Sequence, residues 1–224
     1  MKLILIDLDK TLLDINFEEF LKSYFNLLIP KLSKILKDKD PLKILQISVD
    51  YMINEKNGEK NVDKFYKKFV ELSNVEIDIL KDTFLKFYQE DFPKLSVYGK
   101  PARGGRETIL KLKEMGYKIV IATNSIFPQI AIYERMKWAN INDLNFSYVT
   151  TMENMHYAKP HIEYYIEILE NLKFEPKDTI MIGDDYQMDI EPAKKLGIIT
   201  FHFGVEINEI SEILDLITNK KSIS

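Results

Sequence analysis

The sequence predicts a doubly wound α/β fold, a Rossmann-like parallel sheet between layers of helices, with an all-helical unit inserted into it. Three observations carry this. Five short runs, 3–6, 119–122, 146–149, 179–182 and 198–201, are mostly continuous apolar stretches rich in Ile or Val, as strands buried on both faces of a parallel sheet are. Helix-like stretches at 107–115, 129–138, 161–172 and 190–196 separate the later runs; the first and last close on Gly116 and Gly197, and the third stops before Pro176. A helix ending at glycine and followed at once by a strand is the repeating unit of such folds. Residues 15–93, by contrast, contain no strand-like run and carry apolar residues at helical spacing.

Taken in order, the first strand is followed by Phe17, Phe20, Leu21, Tyr24, Leu27 and Leu28 on one helix face. Leu42, Leu45, Val49 and Ile53 form a second face after Pro41. Val62, Phe65, Phe69 and Leu72 form a third, and Val75, Ile79, Leu80, Phe84, Phe87 and Tyr88 a fourth. Stripes at this spacing are the signature of amphipathic helices, and four of them make a small bundle. The expected organisation is an α/β core formed by 1–14 and 94–224 with a helical domain of 15–93 threaded through it. Asp14-Ile15 and Phe92-Pro93 are the expected hinges. The Lys- and Asp-rich stretch 31–43 reads as a solvated helix-loop-helix surface. Pro101-Ala102-Arg103-Gly104-Gly105 lacks the spacing of a phosphate loop and has no strand directly before it, so it reads as a turn into the next helix.

Composition narrows the function. The 224 residues carry 31 basic and 35 acidic side chains, a formal charge of −4, which offers no basic surface for nucleic acid. Hydrophobic residues make up 46% and charged residues 29%, the usage of an ordinary globular protein. The absence of cysteine excludes disulfides, thiol catalysis and thiolate zinc sites. The run 3–6 is broken by Asp7 and Asp9, far short of a signal peptide or a membrane span. A cytoplasmic protein with no membrane association is expected, as a monomer or homodimer.

Chemistry gathers at the strand ends. Ligands of open α/β sheets bind beyond the carboxyl ends of the strands, where the strand order reverses. Three runs end on polar residues: Asp7 and Asp9, then Thr123-Asn124, then Gly183-Asp184-Asp185. One such aspartate is ordinarily a turn or cap residue, but several endings with clustered carboxylates are harder to explain that way. Two carboxylates about 4 Å apart repel by about 4 kcal/mol at an effective dielectric near 20. Asp7, Asp9 and Asp184, joined by Asp185 or Asp189, therefore require cations. Oxygen donors without cysteine suit magnesium rather than zinc, and Lys159 supplies a second positive charge.

Asp7-Leu8-Asp9-Lys10-Thr11, Thr123-Asn124, Lys159-Pro160 and Gly183-Asp184 through Asp189, in this order, resemble the four motifs of the haloacid dehalogenase-like hydrolase superfamily. The resemblance covers 1–14 and about 94–210, and the helical insertion resembles that superfamily's cap between the first two motifs. It implies Asp7 as nucleophile, forming an aspartyl-phosphate. It implies Asp9 as general acid and base, with its backbone carbonyl on the metal. Thr123 and Asn124 would hold phosphoryl oxygens together with Thr11, and Lys159 would neutralise Asp7 and the phosphate. Asp184 would complete the Mg2+ shell, with Asp189 orienting Lys159 or the metal waters. Lys10 departs from the glycine most often found there. Asp185 stands where a small hydroxyl residue is common, and reads equally as a further metal carboxylate or a turn residue.

The implied activity is a magnesium-dependent phosphatase acting on a small phosphorylated metabolite. Carbon–halogen hydrolysis of 2-haloacids needs neither a metal nor a leaving-group acid, so Asp9 and Asp184 count against it. A phosphosugar mutase shares every motif, and a catalytically silent binding protein on this fold is the remaining alternative. His156, His161, His202 and Trp138 read as surface or packing residues; Tyr51 and Tyr66 are the aromatic candidates for the site on the helical insertion.

Overall fold

A computed structural model describes residues 2–221. Five parallel strands form the central sheet: β1 (Leu3–Ile6), β4 (Lys118–Ile121), β5 (Tyr148–Val149), β6 (Thr179–Gly183) and β7 (Ile199–His202), in the spatial order β5-β4-β1-β6-β7. The chain leaves β1 towards β4 and β5, then returns to β6 on the other side. The order therefore reverses at β1 and β6, and the carboxyl ends of those two strands form the crevice.

Continuous apolarity in β1 and β6 has the expected cause: every residue of both strands is buried. Alternate side chains serve opposite faces. Ile4, Ile6, Ile119, Ile121, Ile180 and Ile182 join one apolar cluster, packed by α5 (Gly105–Glu114), α6 (Gln129–Trp138) and the C-terminal α9 (Glu212–Lys221). Leu3, Leu5, Val120, Ala122 and Met181 face the other, packed by α7 (Ile162–Leu172) and α8 (Glu191–Lys195). The doubly wound α/β class is thus the observed one. The strand at 146–149 is shorter than expected, and the helix at 190–196 begins as a wide turn over Tyr186–Ile190 that runs into α8.

The insertion is four helices: α1 (Phe17–Leu36), α2 (Pro41–Asn54), α3 (Asn61–Ser73) and α4 (Ile77–Glu90). The starts of α1 and α2 are chemically marked. The Asn16 side chain accepts from Glu19 N at 3.3 Å, and Asp40 accepts from Leu42 N and Lys43 N just before Pro41; side-chain acceptors satisfy first-turn N–H groups that have no helical partner. α1 continues through Pro30 and buries Leu32 and Leu36. Phe92 leads a 3-10 segment, Phe92–Tyr98, and stacks on Trp138 with ring centroids 5.4 Å apart. Trp138 also meets Phe20 edge-on, so its packing role spans α6 and the insertion.

Chain passage in and out of the insertion is built on a ribbon that apolar patterning does not show. β2 (Leu13–Ile15) pairs antiparallel with β3 (Gly99–Pro101), Asp14 opposite Lys100. The segment beginning at Pro101 therefore does have a strand directly before it, contrary to the sequence expectation: three residues, two of them glycine and proline, leave no apolar run to read. The turn itself is as expected, with Gly104 at φ +68° opening α5.

A second tie joins the insertion to the α/β layer. Asn61 N and Val62 N, at the start of α3, donate to Met155 O and Met152 O at 2.9 and 3.0 Å. The Asn61 amide also donates to Ser125 Oγ (3.0 Å) and Tyr157 O (3.2 Å), and the buried Lys64 ammonium donates to Glu55 O and His156 O.

Candidate active site

Beyond β1 and β6 lies a cleft of about 140 Å³ lined by Asp7, Asp9, Lys10, Phe17, Thr123, Asn124, Lys159, Asp184, Asp185, Met188 and Asp189. The strand ends thus converge as the sequence predicts. Thr11 is the exception: it is fully buried, absent from the cleft wall, and its hydroxyl has no partner among the described residues.

Lys159 is the hub. Its ammonium, 2% exposed, donates to Asp7 Oδ1 at 2.7 Å and Asp189 Oδ1 at 2.5 Å. Burial disfavours its charge, but Asp189 and Asp7 outweigh that and hold the ammonium well above the ordinary lysine range. The other Asp189 oxygen accepts from Asp185 N at 3.2 Å. Burial pushes the Asp189 carboxyl up, with Lys159 opposing.

Asp7, Asp184 and Asp189 each bring a carboxylate oxygen within 4.8 Å of the others. Burial, with Asp7 adding and Lys10 opposing, pushes Asp184 up to about 6. Desolvation leads that shift, and the like charge of Asp7 adds to it. An oxygen-only donor set of this kind fits a hard divalent cation. Asp185 takes a different part: its Oδ1 accepts from Gln187 N and Met188 N, capping the turn that carries Asp189. Its turn reading thereby has a hydrogen-bonding basis.

Asp9 stands apart from the three. Its carboxylate turns to the Arg135 guanidinium, a fully buried group on α6. Burial raises the Asp9 carboxyl above the ordinary range, Arg135 lowering it and Asp7 adding to the rise. This partner is absent from the sequence expectations, although a signal exists: Ala131, Ile132, Arg135 and Met136 share the buried face of α6. Thr123 is held through its carbonyl, which accepts from Thr150 Oγ1 (2.7 Å) and Tyr164 OH (2.8 Å). Asn124 Oδ1 is buried without a partner. Lys10 takes φ +61°, the left-handed conformation that favours the glycine of the family pattern.

None of the three histidines lines the cleft. His156 pairs with Glu167 at 2.7 Å, and His202 Nε2 lies 2.9 Å from Asp184 O, bracing that loop. His161 immediately precedes α7. Tyr66 lines a separate, largely apolar cavity of about 310 Å³ between the insertion and the α/β layer, together with Tyr24, Phe65, Phe84, Tyr88 and Met152. Tyr51 lines neither space; the Lys68 ammonium lies over its ring.

The fold and cleft define an α/β protein with an acidic, lysine-bridged site at its topological switch point. The haloacid dehalogenase-like hydrolase family profile matches residues 4–203, and the chain belongs to that family. Among curated relatives, a glyceraldehyde 3-phosphate phosphatase of Methanocaldococcus jannaschii is 29% identical over 129 residues, which is 51% of this chain and 55% of that protein. The chain thus spans about half the length of that relative. A pyrophosphatase PpaX of Bacillus mycoides is 25% identical over 197 residues, 88% of this chain and 80% of that one. Two solved structures share the fold: a HAD phosphatase from Thermococcus onnurineus (TM-score 0.58, 21% identity, 98% of each chain) and a 2-haloacid dehalogenase from Pseudomonas syringae (TM-score 0.63, 16% identity, 98% of this chain and 99% of that one). Among the described residues no helix is long and apolar enough to cross a membrane.

Proposed function

We propose that this protein is a magnesium-dependent phosphatase that hydrolyses a small phosphorylated metabolite through an aspartyl-phosphate on Asp7. One observation carries the reading: Asp7, paired with the buried Lys159, brings a carboxylate oxygen within 4.8 Å of those of Asp184 and Asp189, a donor set that fits a bound cation. Asp7, Asp184 and Asp189 would supply its oxygens, joined by the Asp9 carbonyl, with Asp189 also orienting Lys159. Bound there, magnesium would offset the charge of the carboxylates and the phosphoryl oxygens.

The chain's own groups divide the work as in-line phosphoryl transfer requires. An Asp7 oxygen attacks phosphorus while Lys159 holds that carboxylate and balances the phosphoryl charge. Thr123 and Asn124, which line the cleft beside Asp7, bind the phosphoryl oxygens as hydrogen-bond donors. Asp9 gives a proton to the departing oxygen as the P–O bond breaks, then takes one from the water that cleaves the aspartyl-phosphate. The helical insertion acts as a cap that excludes bulk water. An organic monoester is favoured over pyrophosphate. Of the cations at or beside the cleft, Lys159 and Arg135 are already paired with carboxylates, leaving Lys10 to meet a second phosphate.

A magnesium-supplemented screen of phosphorylated metabolites, with pyrophosphate as one arm, tests this. Release of phosphate from a monoester, abolished by EDTA and restored by magnesium, is expected. Metal-independent halide release from a 2-haloacid in place of phosphate release would overturn it.

A further inference from the structure

Arg135 is among the largest fully buried side chains of the molecule, 1% exposed, and its guanidinium makes one ion pair, with Asp9. The face of the group lies 4.5 Å from the centre of the Phe127 ring. Its Nε and the nitrogen not facing Asp9 have no hydrogen-bond partner among the described residues, and neither does Asp9 Oδ1. A buried ion pair with three unmatched polar atoms is a poor way to gain stability. Apolar groups of similar volume in such places are often neutral or stabilising by about 1–4 kcal/mol.

The geometry assigns Asp9 two sides. One carboxylate oxygen is tied to Arg135 in the interior, while the residue itself lines the cleft. Arg135 does not line the cleft and so does not touch substrate. We propose that Arg135 is a positioning residue for leaving-group protonation: by gripping Oδ2 from the interior it fixes the orientation of the Asp9 carboxyl at the cleft wall.

The proposal rests on the phosphatase reading above. In the first step Asp7 forms a bond to phosphorus, the bond from phosphorus to the ester oxygen breaks with its electron pair on oxygen, and the Asp9 proton passes to that oxygen. The resulting Asp9 carboxylate stays paired with Arg135. In the second step Asp9 takes a proton from water as the water oxygen bonds to phosphorus and the Asp7–phosphorus bond breaks. Arg135 keeps its charge throughout.

The test is a series of aryl phosphates from p-nitrophenyl to phenyl phosphate, turned over by wild type, Arg135→Met, Arg135→Lys, Asp9→Asn and Asp9→Asn/Arg135→Met. A good leaving group departs without a proton, whereas phenolate needs one. Arg135→Met should therefore lose at least about tenfold more in kcat on phenyl phosphate than on p-nitrophenyl phosphate, since a general acid contributes roughly 10²–10⁴. Arg135→Lys, which keeps a buried cation and also serves if the methionine variant does not fold, should show the same tilt to a smaller degree. The double variant should be no slower than Asp9→Asn, because residues acting as a unit are not additive. Equal loss across the series, as a merely structural role would give, overturns the proposal while leaving the phosphatase reading intact. A wild type inert towards every member overturns both.

Discussion

Asp189 fills the space that a side chain on Gly183 would need. A Cβ built on Gly183, the last residue of β6, would stand 2.6 Å from the Asp189 Cβ and closer still to its carboxylate. The glycine of the Gly183-Asp184 pair is therefore required by a contact: it lets the Asp189 carboxylate lie against the strand end and reach Lys159 at 2.5 Å. β6 cannot retreat, because β1 and β7 are hydrogen-bonded on either side of it.

Gly183→Ala should accordingly displace Asp189 and leave the buried Lys159 with Asp7 alone. Overpacking costs about 1–3 kcal/mol, and a damaged buried pair adds to it. A loss of about 3 kcal/mol in urea unfolding is expected, together with loss of phosphatase turnover. A substitution that left both unchanged would show that Asp189 is not held by this packing.

Asp7→Asn should separate chemistry from fold. It removes the proposed nucleophile, so turnover of p-nitrophenyl phosphate should fall by at least about 10³-fold. Stability should stay within about 1 kcal/mol of wild type. The lost pairing with Lys159 is offset by relief of repulsion with Asp184 and Asp189, and Lys159 retains Asp189. Unfolding curves in EDTA and single-turnover assays on the same preparation check both halves.

Asp184 sets a pH dependence whose sign follows from its raised value. Between its ordinary 3.8 and about 6 the folded chain holds the Asp184 proton more tightly than the unfolded chain does. Stability of EDTA-treated protein should therefore fall as pH rises through that window, and magnesium stabilisation should grow through the same window. A shift of about two units corresponds to about 3 kcal/mol, reduced to on the order of 1 kcal/mol by solvent screening at a partly exposed side chain. Asp184→Asn should flatten both trends in melting curves taken across this range. Trends that persist in the variant would assign them to other carboxylates.

How far the sequence foretells this arrangement depends on what each residue does locally. β1 and β6 are readable because strands covered on both faces must be apolar throughout, and their polar terminators mark the cleft. The four insertion helices are readable because each buries one face. β2 and β3 are not, since three-residue strands containing Asp14, Gly99 and Pro101 obtain their order from pairing with each other. Arg135 escapes for another reason. Flanked by Glu134 and Lys137, it looks like one more charge on a solvated helix, and only the apolar positions three and four residues before it place it inward. Thr11 fails in the opposite sense: its motif position suggests the cleft, but the tight turn in which Leu12 N and Leu13 N donate to Leu8 O carries it into the core.

The tie between Asn61 and the loop after Asn124 offers a last measurable consequence. The Asn61 amide donates to Ser125 Oγ at 3.0 Å and to Tyr157 O at 3.2 Å, so one side chain of the insertion braces both the segment carrying Thr123 and Asn124 and the segment leading to Lys159. Asn61→Ala removes these donors but keeps the backbone bonds from Asn61 N and Val62 N to the α/β layer. The cost should be about 1 kcal/mol, that of the lost hydrogen bonds, because Tyr157 O keeps the Ser125 Oγ donor at 2.8 Å. If Thr123 and Asn124 bind the phosphoryl group, loosening their loop should weaken competitive inhibition by inorganic phosphate severalfold and raise KM more than it lowers kcat. An unchanged inhibition constant alongside the expected loss of stability would confine Asn61 to tethering the insertion and would separate phosphate binding from the docking of α3.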